Sequence, residues 1–219
     1  MNTKHVYIVR HGESDANATG IRQGADAILT ERGKMQAELV GKRLRGNRIE
    51  RIIASPYTRA RETAAIIARE LEMEISEHSP LFIERVNPSI MLGTHLKDPV
   101  MERIWDEIAS NYDVSGWRHS DEENFEDLRS RAVNALSFLE SLPEERILVT
   151  SHGLFMKVIL AHVLLGSHLN GRIFWDQFIP TKNVENTGIL SLQYTDNYFG
   201  TKKYWKLISW NDHAHLERH

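Results

Sequence analysis

Val6-Tyr7-Ile8-Val9-Arg10-His11-Gly12-Glu13-Ser14 begins with an apolar, largely β-branched run and then turns abruptly polar. Four such residues bounded by charge read as a buried strand of a parallel sheet, ending at Arg10. The polar half then reads as the loop at that strand's carboxyl end.

The same alternation recurs downstream. A glycine-containing loop runs to Leu29, Thr30 has the chemistry of an N-cap, and Ala37, Val40 and Leu44 recur at helical spacing, predicting a helix over 31–45. Arg51-Ile52-Ile53-Ala54 reads as a second strand. Ser55-Pro56 reads as a helix start, with a capping hydroxyl and proline in the first turn, and Ala60, Ala64, Ile67 and Leu71 then share a face. Phe125, Leu128, Ala132, Ala135, Leu139 and Leu142 mark a further helix; 146–150 reads as a strand, 153–165 as a helix, and 189–194 and 204–209 as two later strands. Strand, loop and helix in repetition predict an α/β fold, a three-layer αβα sandwich with a mainly parallel central sheet. Residues 85–122 are less regular, with prolines, glycines and one helix predicted after Asp98-Pro99; a segment this long between core elements is expected to be an inserted cap on a single domain spanning 1–219.

Composition narrows the function classes. With 219 residues, 41% hydrophobic and 26% charged, the chain is long enough for one core. A net charge of -3 speaks against nucleic acid or an anionic membrane surface as partner. The chain has no cysteine, which removes thiolate catalysis, disulfides and cysteine-based zinc sites. No run approaches the roughly 20 apolar residues of a membrane span, and the polar start lacks a secretory core, so a cytoplasmic location is expected.

Three polar motifs share one placement. Arg10-His11 follows the first strand, Ser55 to Arg61 the second, and Ser151-His152-Gly153 the strand Ile147-Leu148-Val149-Thr150. Carboxyl ends of parallel strands line one crevice, where ligands bind. Two arginines and two histidines meeting there suit a phosphate monoester. Arginine presents a permanently charged fork that matches phosphate oxygens, and Arg59 falls in the first turn of its helix, where free N–H groups favour anions. A neutral imidazole, His11, can attack phosphorus; His152 can stabilise the transferring oxygens. The proton donor for the leaving oxygen is expected from Glu84, which follows Leu81-Phe82-Ile83 at what reads as another strand end; a carboxyl among apolar and anionic neighbours can keep its proton for this purpose.

These residues also carry a family resemblance. Val6 to Ser14 resembles the opening of the histidine phosphatase superfamily, which includes the cofactor-dependent phosphoglycerate mutases. Asn17 matches the asparagine that follows this opening in many members. Leu29-Thr30-Glu31-Arg32-Gly33, Ala54 to Ala64 and Ile147 to Gly153 match its later motifs, in order, across roughly residues 5 to 194. The resemblance implies His11 as phosphorylated nucleophile, Arg10, Arg59 and His152 as phosphate pocket, Glu84 as acid and then base, Asn17 as a further phosphate contact, and no metal or organic cofactor. It also departs from the family. Many members continue after the glutamate with Gly-x-Trp-Glu-Gly, whereas here Arg85-Val86-Asn87-Pro88-Ser89 follows. The long central insertion that closes over substrate in the glycolytic mutases is also absent or replaced. A mutase must retain its product and a phosphatase must admit water, so hydrolysis of a small phosphorylated metabolite is the expectation. A phosphoglycerate-type mutase, a protein phosphohistidine phosphatase and a non-catalytic phospholigand-binding protein are the alternatives.

The remaining polar residues read as structural. Arg61, two positions past Arg59, points away from it on a helix. Glu13 and Ser14 shape their loop. His213 and His215 would share a face on a strand and could suit a metal, but no third ligand accompanies them, and a tail packed near the mouth of the site is the expectation. Trp105, Trp117 and Phe125 are expected to pack rather than to bind. A homodimer is compatible with the sequence, although no separate interface stripe stands out.

Overall fold

In a computed structural model, residues 3–22, 24–196 and 202–217 are described. Six strands form one mixed sheet: β1 (Lys4–Arg10), β2 (Arg51–Ala54), β3 (Glu77–His78), β4 (Arg146–Ser151), β5 (Ile189–Asp196) and β6 (Lys203–Asp212), in the order β3-β2-β4-β1-β5-β6. The pairs β1–β4, β2–β4 and β2–β3 are parallel; β1–β5 and β5–β6 are antiparallel. The helices among the described residues include α1 (Asp15–Thr19), α2 (Glu31–Leu44), α3 (Thr58–Glu70), α4 (Pro99–Ser110), α5 (Phe125–Ser141) and α6 (Gly153–Leu165).

The period-two geometry of the strands divides the core between two faces. Val9, Ile52, Ala54, Leu148 and Ile189 point to one side, where Val40 and Leu44 of α2 and Ala64 and Ile67 of α3 cover them. Val6, Ile8, Ile53, Ile147, Val149, Leu190 and Leu192 point to the other, under Leu128, Ala132, Leu136 and Leu139 of α5 and Phe155, Val158 and Ile159 of α6. The expected three layers are therefore present. Residues 85–122 pack on the second side through Met91, Met101, Ile104, Ile108 and Tyr112.

Two local expectations change. The Ser55 hydroxyl does not cap α3. The N-cap position is Tyr57, and the Ser55 side chain turns instead toward His152. Leu81-Phe82-Ile83 is not a strand. Pro80–Phe82 forms a 3-10 turn that starts with proline, and the edge strand lies earlier at Glu77–His78. Proline presets the turn dihedral and lacks the N–H a ladder needs, while Phe82 drops fully into the core.

The loop after β1 lies against the first turn of α2 so closely that a side chain would not fit. A Cβ on Gly33 would come within 2.0 Å of the Glu13 carbonyl oxygen, and one on Gly12 within 2.4 Å of the Gly33 oxygen. The glycine of the opening motif is therefore required by close backbone approach.

Candidate active site

Arg10 and His11 leave β1 at its carboxyl end, where the His11 N–H donates to the Ser151 carbonyl (3.0 Å) and so ties the loop to β4. The Gly12 N–H donates to the Thr63 hydroxyl (3.0 Å), which donates to the Arg59 carbonyl (2.7 Å). These bonds bring the first and second motifs into one cluster.

The His11 ring is buried, and its hydrogen bonds assign its proton. Nδ1 lies 2.7 Å from the Gly12 carbonyl, which only accepts, so Nδ1 carries the hydrogen. Nε2 then holds the lone pair and accepts from Arg59 Nε at 3.2 Å. Burial, reinforced by the charges of Arg10 and Arg59, pushes the imidazole well below its ordinary pKa, against the opposing Gly12 hydrogen bond. A neutral ring whose lone pair meets the Arg59 guanidinium, within the field of Arg10, has the chemistry of a nucleophile beside two cations.

His152 is fully buried at the N-cap of α6, with its ring centroid 5.2 Å from that of His11. Its Nε2 lies 2.8 Å from Ser55 Oγ, which takes the Tyr57 N–H at 3.4 Å. When the serine gives its proton to Nε2, the histidine proton sits on Nδ1. Among the described residues Nδ1 is buried with no hydrogen-bond partner, and in that tautomer it is an unpaired donor. Burial, Arg59, His11 and Arg10 hold His152 well below its ordinary pKa.

Arg59 is buried, donates to the Gly24 carbonyl (2.9 Å) and lies over the Tyr57 ring. Arg10 donates to the Val184 carbonyl. Burial lowers both guanidinium groups, and the field of Glu84 opposes that effect at each. They remain cations at neutral pH, because a guanidinium does not give up its proton in a protein.

Glu84 reaches the site by a different route from the expected strand end. Its carboxylate docks on the N-terminus of α6, accepting from Leu154 N–H (3.2 Å) and Phe155 N–H (3.0 Å), and from Arg85 N–H (2.9 Å). The donors are the free amides of a helix start. The chain bearing Glu84 is gripped by Arg131 of α5. Arg131 donates to the carbonyls of Leu81 (3.3 Å), Ile83 (2.8 Å) and Glu84 (3.5 Å) and makes a two-pronged pair with Glu123 at 2.8 and 2.7 Å. Glu123 in turn accepts from Val86 N–H (2.9 Å), and the Arg131 guanidinium lies 3.9 Å over Phe155, whose own N–H holds Glu84. Arg85 turns away from Glu84 and stacks against Trp105 (4.6 Å) and Tyr112 (5.6 Å).

Asn17 sits in α1 as part of a capping box with Ser14. Its carboxamide oxygen accepts from Ser14 N–H (3.2 Å) and from Asn186 Nδ2 (3.2 Å). Asn186, which the sequence reading did not single out, also donates to the His11 carbonyl (3.1 Å) and so joins the opening loop to the segment before β5. Only a fold-level signal, a polar residue just before an apolar strand, pointed there. Arg61 is exposed. His213 and His215 lie beyond the end of β6 rather than on a strand face. His215 pairs with the Thr187 hydroxyl (2.9 Å), whose N–H donates to the Arg10 carbonyl (3.1 Å), so the tail packs behind the loop. Among the described residues, no group of three potential ligands could hold a metal ion, and no helix is long and apolar enough to cross a membrane. Trp105 and Trp117 pack against the core and Phe125 is buried in it.

Comparison with known proteins agrees with this geometry. The family model described as the histidine phosphatase superfamily (branch 1) matches residues 6–212. A protein of Yersinia pestis named "Probable phosphoglycerate mutase GpmB" is 30% identical over 228 residues, 97% of this chain and 94% of that one. The Citrobacter koseri protein of the same name is 33% identical over 162 residues, 73% of this chain and 74% of its own. Among solved structures, a phosphoserine phosphatase mutant from Entamoeba histolytica in complex with phosphoserine superposes with a TM-score of 0.76 at 23% identity, covering 98% of this chain and 100% of that one. A mycobacterial glucosyl-3-phosphoglycerate phosphatase gives 0.75 at 19%, covering 95% and 99%. At these identities the structural likeness speaks for the fold.

Proposed function

The chain belongs to the histidine phosphatase superfamily, and from that premise we propose that it is a phosphatase hydrolysing a small phosphate monoester through a phosphohistidine on His11. The observation that carries the reading is the His11 ring, neutral, with its Nδ1 proton tied to Gly12 and its Nε2 lone pair directed at the guanidinium cluster.

In this reading the phosphoryl group displaces the Arg59–His11 hydrogen bond, and Arg10, Arg59 and the unpartnered Nδ1–H of His152 bind its oxygens. Nε2 attacks phosphorus as the ester P–O bond breaks, and Glu84 supplies the proton to the leaving oxygen. The Glu84 carboxylate then takes a proton from water as the water oxygen attacks the phosphohistidine. The P–N bond breaks, phosphate leaves, and Glu84 has regained its proton. Asn17 contributes a further contact through its amide nitrogen. No step calls on a metal or organic cofactor.

A mutase is the second reading, favoured by the names of the relatives. Release of inorganic phosphate without isomer interconversion separates the two. The protein is incubated with a panel of phosphorylated metabolites and a chelator, beside His11→Ala. Phosphate release that survives chelation and vanishes in the variant is expected. Activity that persists without His11, or requires added divalent metal, sinks the mechanism.

A further inference from the structure

We infer that His215 is a positioning residue for the nucleophile: through Thr187 it holds the turn that fixes the backbone on both sides of His11. This rests on the His11 chemistry proposed above and adds to it a group from the segment that follows β6.

The turn runs from Glu185 to Gly188 and is closed by the Gly188 N–H, which donates to the Glu185 carbonyl (2.8 Å). It lies directly against the first motif. The Arg10 N–H donates to the Gly188 carbonyl (3.1 Å), and the Thr187 N–H donates to the carbonyls of Arg10 (3.1 Å) and His11 (3.3 Å). Asn186 Nδ2 donates to the His11 carbonyl as well (3.1 Å). Those two carbonyls belong to the peptide planes before and after the His11 Cα. With both planes held, the direction in which the His11 side chain leaves the backbone is set.

Threonine is a costly choice for this turn. Thr187 has φ +60°, in the left-handed region, where a β-branched residue is an outlier and glycine or asparagine is usual at the third position of a turn. Glycine would meet the backbone demand without strain. What threonine adds is a buried hydroxyl. Its hydrogen goes to the Asn186 carbonyl (2.6 Å), which only accepts. The His215 Nε2, 2.9 Å from the same oxygen, is therefore the donor of that pair. The ring proton sits on Nε2, and Nδ1 is bare, buried with no partner among the described residues. Burial, aided by the charge of Arg43, lowers the His215 pKa to about 4 and keeps the ring in this neutral form.

The His215 ring is itself braced. Asp212, at the end of β6, pairs with Arg43 of α2 and accepts the Ala214 N–H (3.3 Å). Asn211, also left-handed at φ 51°, accepts the Glu185 N–H on its Oδ1 (2.8 Å). The end of β6 and the 3-10 turn Ala214–Leu216 thus grip the turn at two places, Glu185 through Asn211 and Thr187 through His215. Backbone strain persists only where the surroundings over-determine it, and it concentrates where geometry matters for function. Here the strained residue is the one whose N–H reaches both carbonyls flanking the nucleophile, and His215 is what bonds its side chain from outside the turn.

The test compares His215→Phe, which keeps a ring and loses the donor, with His215→Gln, whose amide N–H can replace Nε2–H. With p-nitrophenyl phosphate, His215→Phe should lower kcat about tenfold and His215→Gln should bring it back to within about twofold of wild type. The inhibition constant of inorganic phosphate should stay within about twofold in both, because the Arg10 and Arg59 guanidinium groups have their own anchors on the Val184 and Gly24 carbonyls. In a Thr187→Gly background the strain and the acceptor are both gone, so His215→Phe should change kcat by less than about twofold. Unchanged kcat in His215→Phe, no rescue by glutamine, or an equal loss in the Thr187→Gly background overturns the role. NMR of the imidazole nitrogens in the wild type decides the matter if His215→Phe does not fold: a proton on Nε2 of His215 supports the donor assignment, and a proton on Nδ1 overturns it. Turnover that is absent from the wild type, or survives His11→Ala, removes the nucleophile and this role with it. Turnover that needs His11 and ignores His215 removes the role alone.

Discussion

Replacing Arg131 with methionine should separate the acid step from the rest of the chemistry. Arg131 touches no atom of the phosphate pocket by hydrogen bond. It holds the carbonyls of Leu81, Ile83 and Glu84, pairs with Glu123, and lies over Phe155. Methionine keeps an apolar contact with that ring and loses everything else. Breaking a buried ion pair by removing one partner costs about 3–5 kcal/mol. The Arg131 and Glu123 side chains retain 12% and 17% exposure, so about 3 kcal/mol, the low end, is expected here. The catalytic loss has a different origin. General acid catalysis contributes about 10²–10⁴-fold, and a displaced Glu84 should forfeit about 10²-fold of it for an alkyl phosphate. p-Nitrophenyl phosphate, whose leaving group needs no proton, should slow by no more than about threefold. The double variant Arg131→Met/Glu123→Leu removes the stranded carboxylate and should recover most of the stability, because apolar replacement of a buried pair is often near neutral. It should not recover the alkyl ester rate. Thermal or urea unfolding and steady-state kinetics on both substrates provide the readout. Equal slowing of both esters, or return of alkyl ester turnover with stability, would refute the claim that this clamp positions Glu84.

Other expectations follow from the same geometry. His11 and His152 are both held well below the ordinary histidine value by burial, so the unfolded chain binds protons there before the folded one does. Stability should therefore be fully present above about pH 6.5 and fall below it, by up to about 1.4 kcal/mol per pH unit for each ring, until the folded rings protonate; urea unfolding between pH 7 and 5 should show this, and His152→Asn should flatten the slope. Ser55→Ala strands the buried Nε2 of His152, which costs about 1–3 kcal/mol; kcat/KM should drop about 10–100-fold with Ser55→Thr partly restoring it, and unchanged kinetics would show that the pairing does not orient the ring. Gly33→Ala drives a methyl group into the Glu13 backbone and should destabilise by about 1–3 kcal/mol as read by thermal melting, with a matching loss of activity because the His11 loop must move; a melting temperature unchanged from wild type would contradict the close packing.

The strand–loop–helix units around Arg10, Ser55 and His152 were legible because each rests on local periodicity, and local periodicity decides which face of an element is buried. Val6 and Ile8 face one layer and Val9 the other, as alternation requires. Convergence of Arg10, Arg59 and the two histidines followed from a rule about strand ends. Glu84 was named on a wrong premise, since the segment before it is a turn rather than a strand. Its position depends on Arg131, on Glu123 and on the amides of α6, and none of these is near it in sequence. Asn186 and the Ser55–His152 pair were illegible for the same reason.

The sequence by itself determined the fold class, the family and the residue types that meet at the strand ends, because hydrophobic period and motif order are properties of short segments. Only the tertiary structure decided which ring nitrogen of His11 is free, where Glu84 docks, and that His215 pairs with Thr187 behind the His11 loop. Those outcomes depend on hydrogen bonds and burial between groups tens of residues apart, and such contacts exist only once the chain has closed on itself.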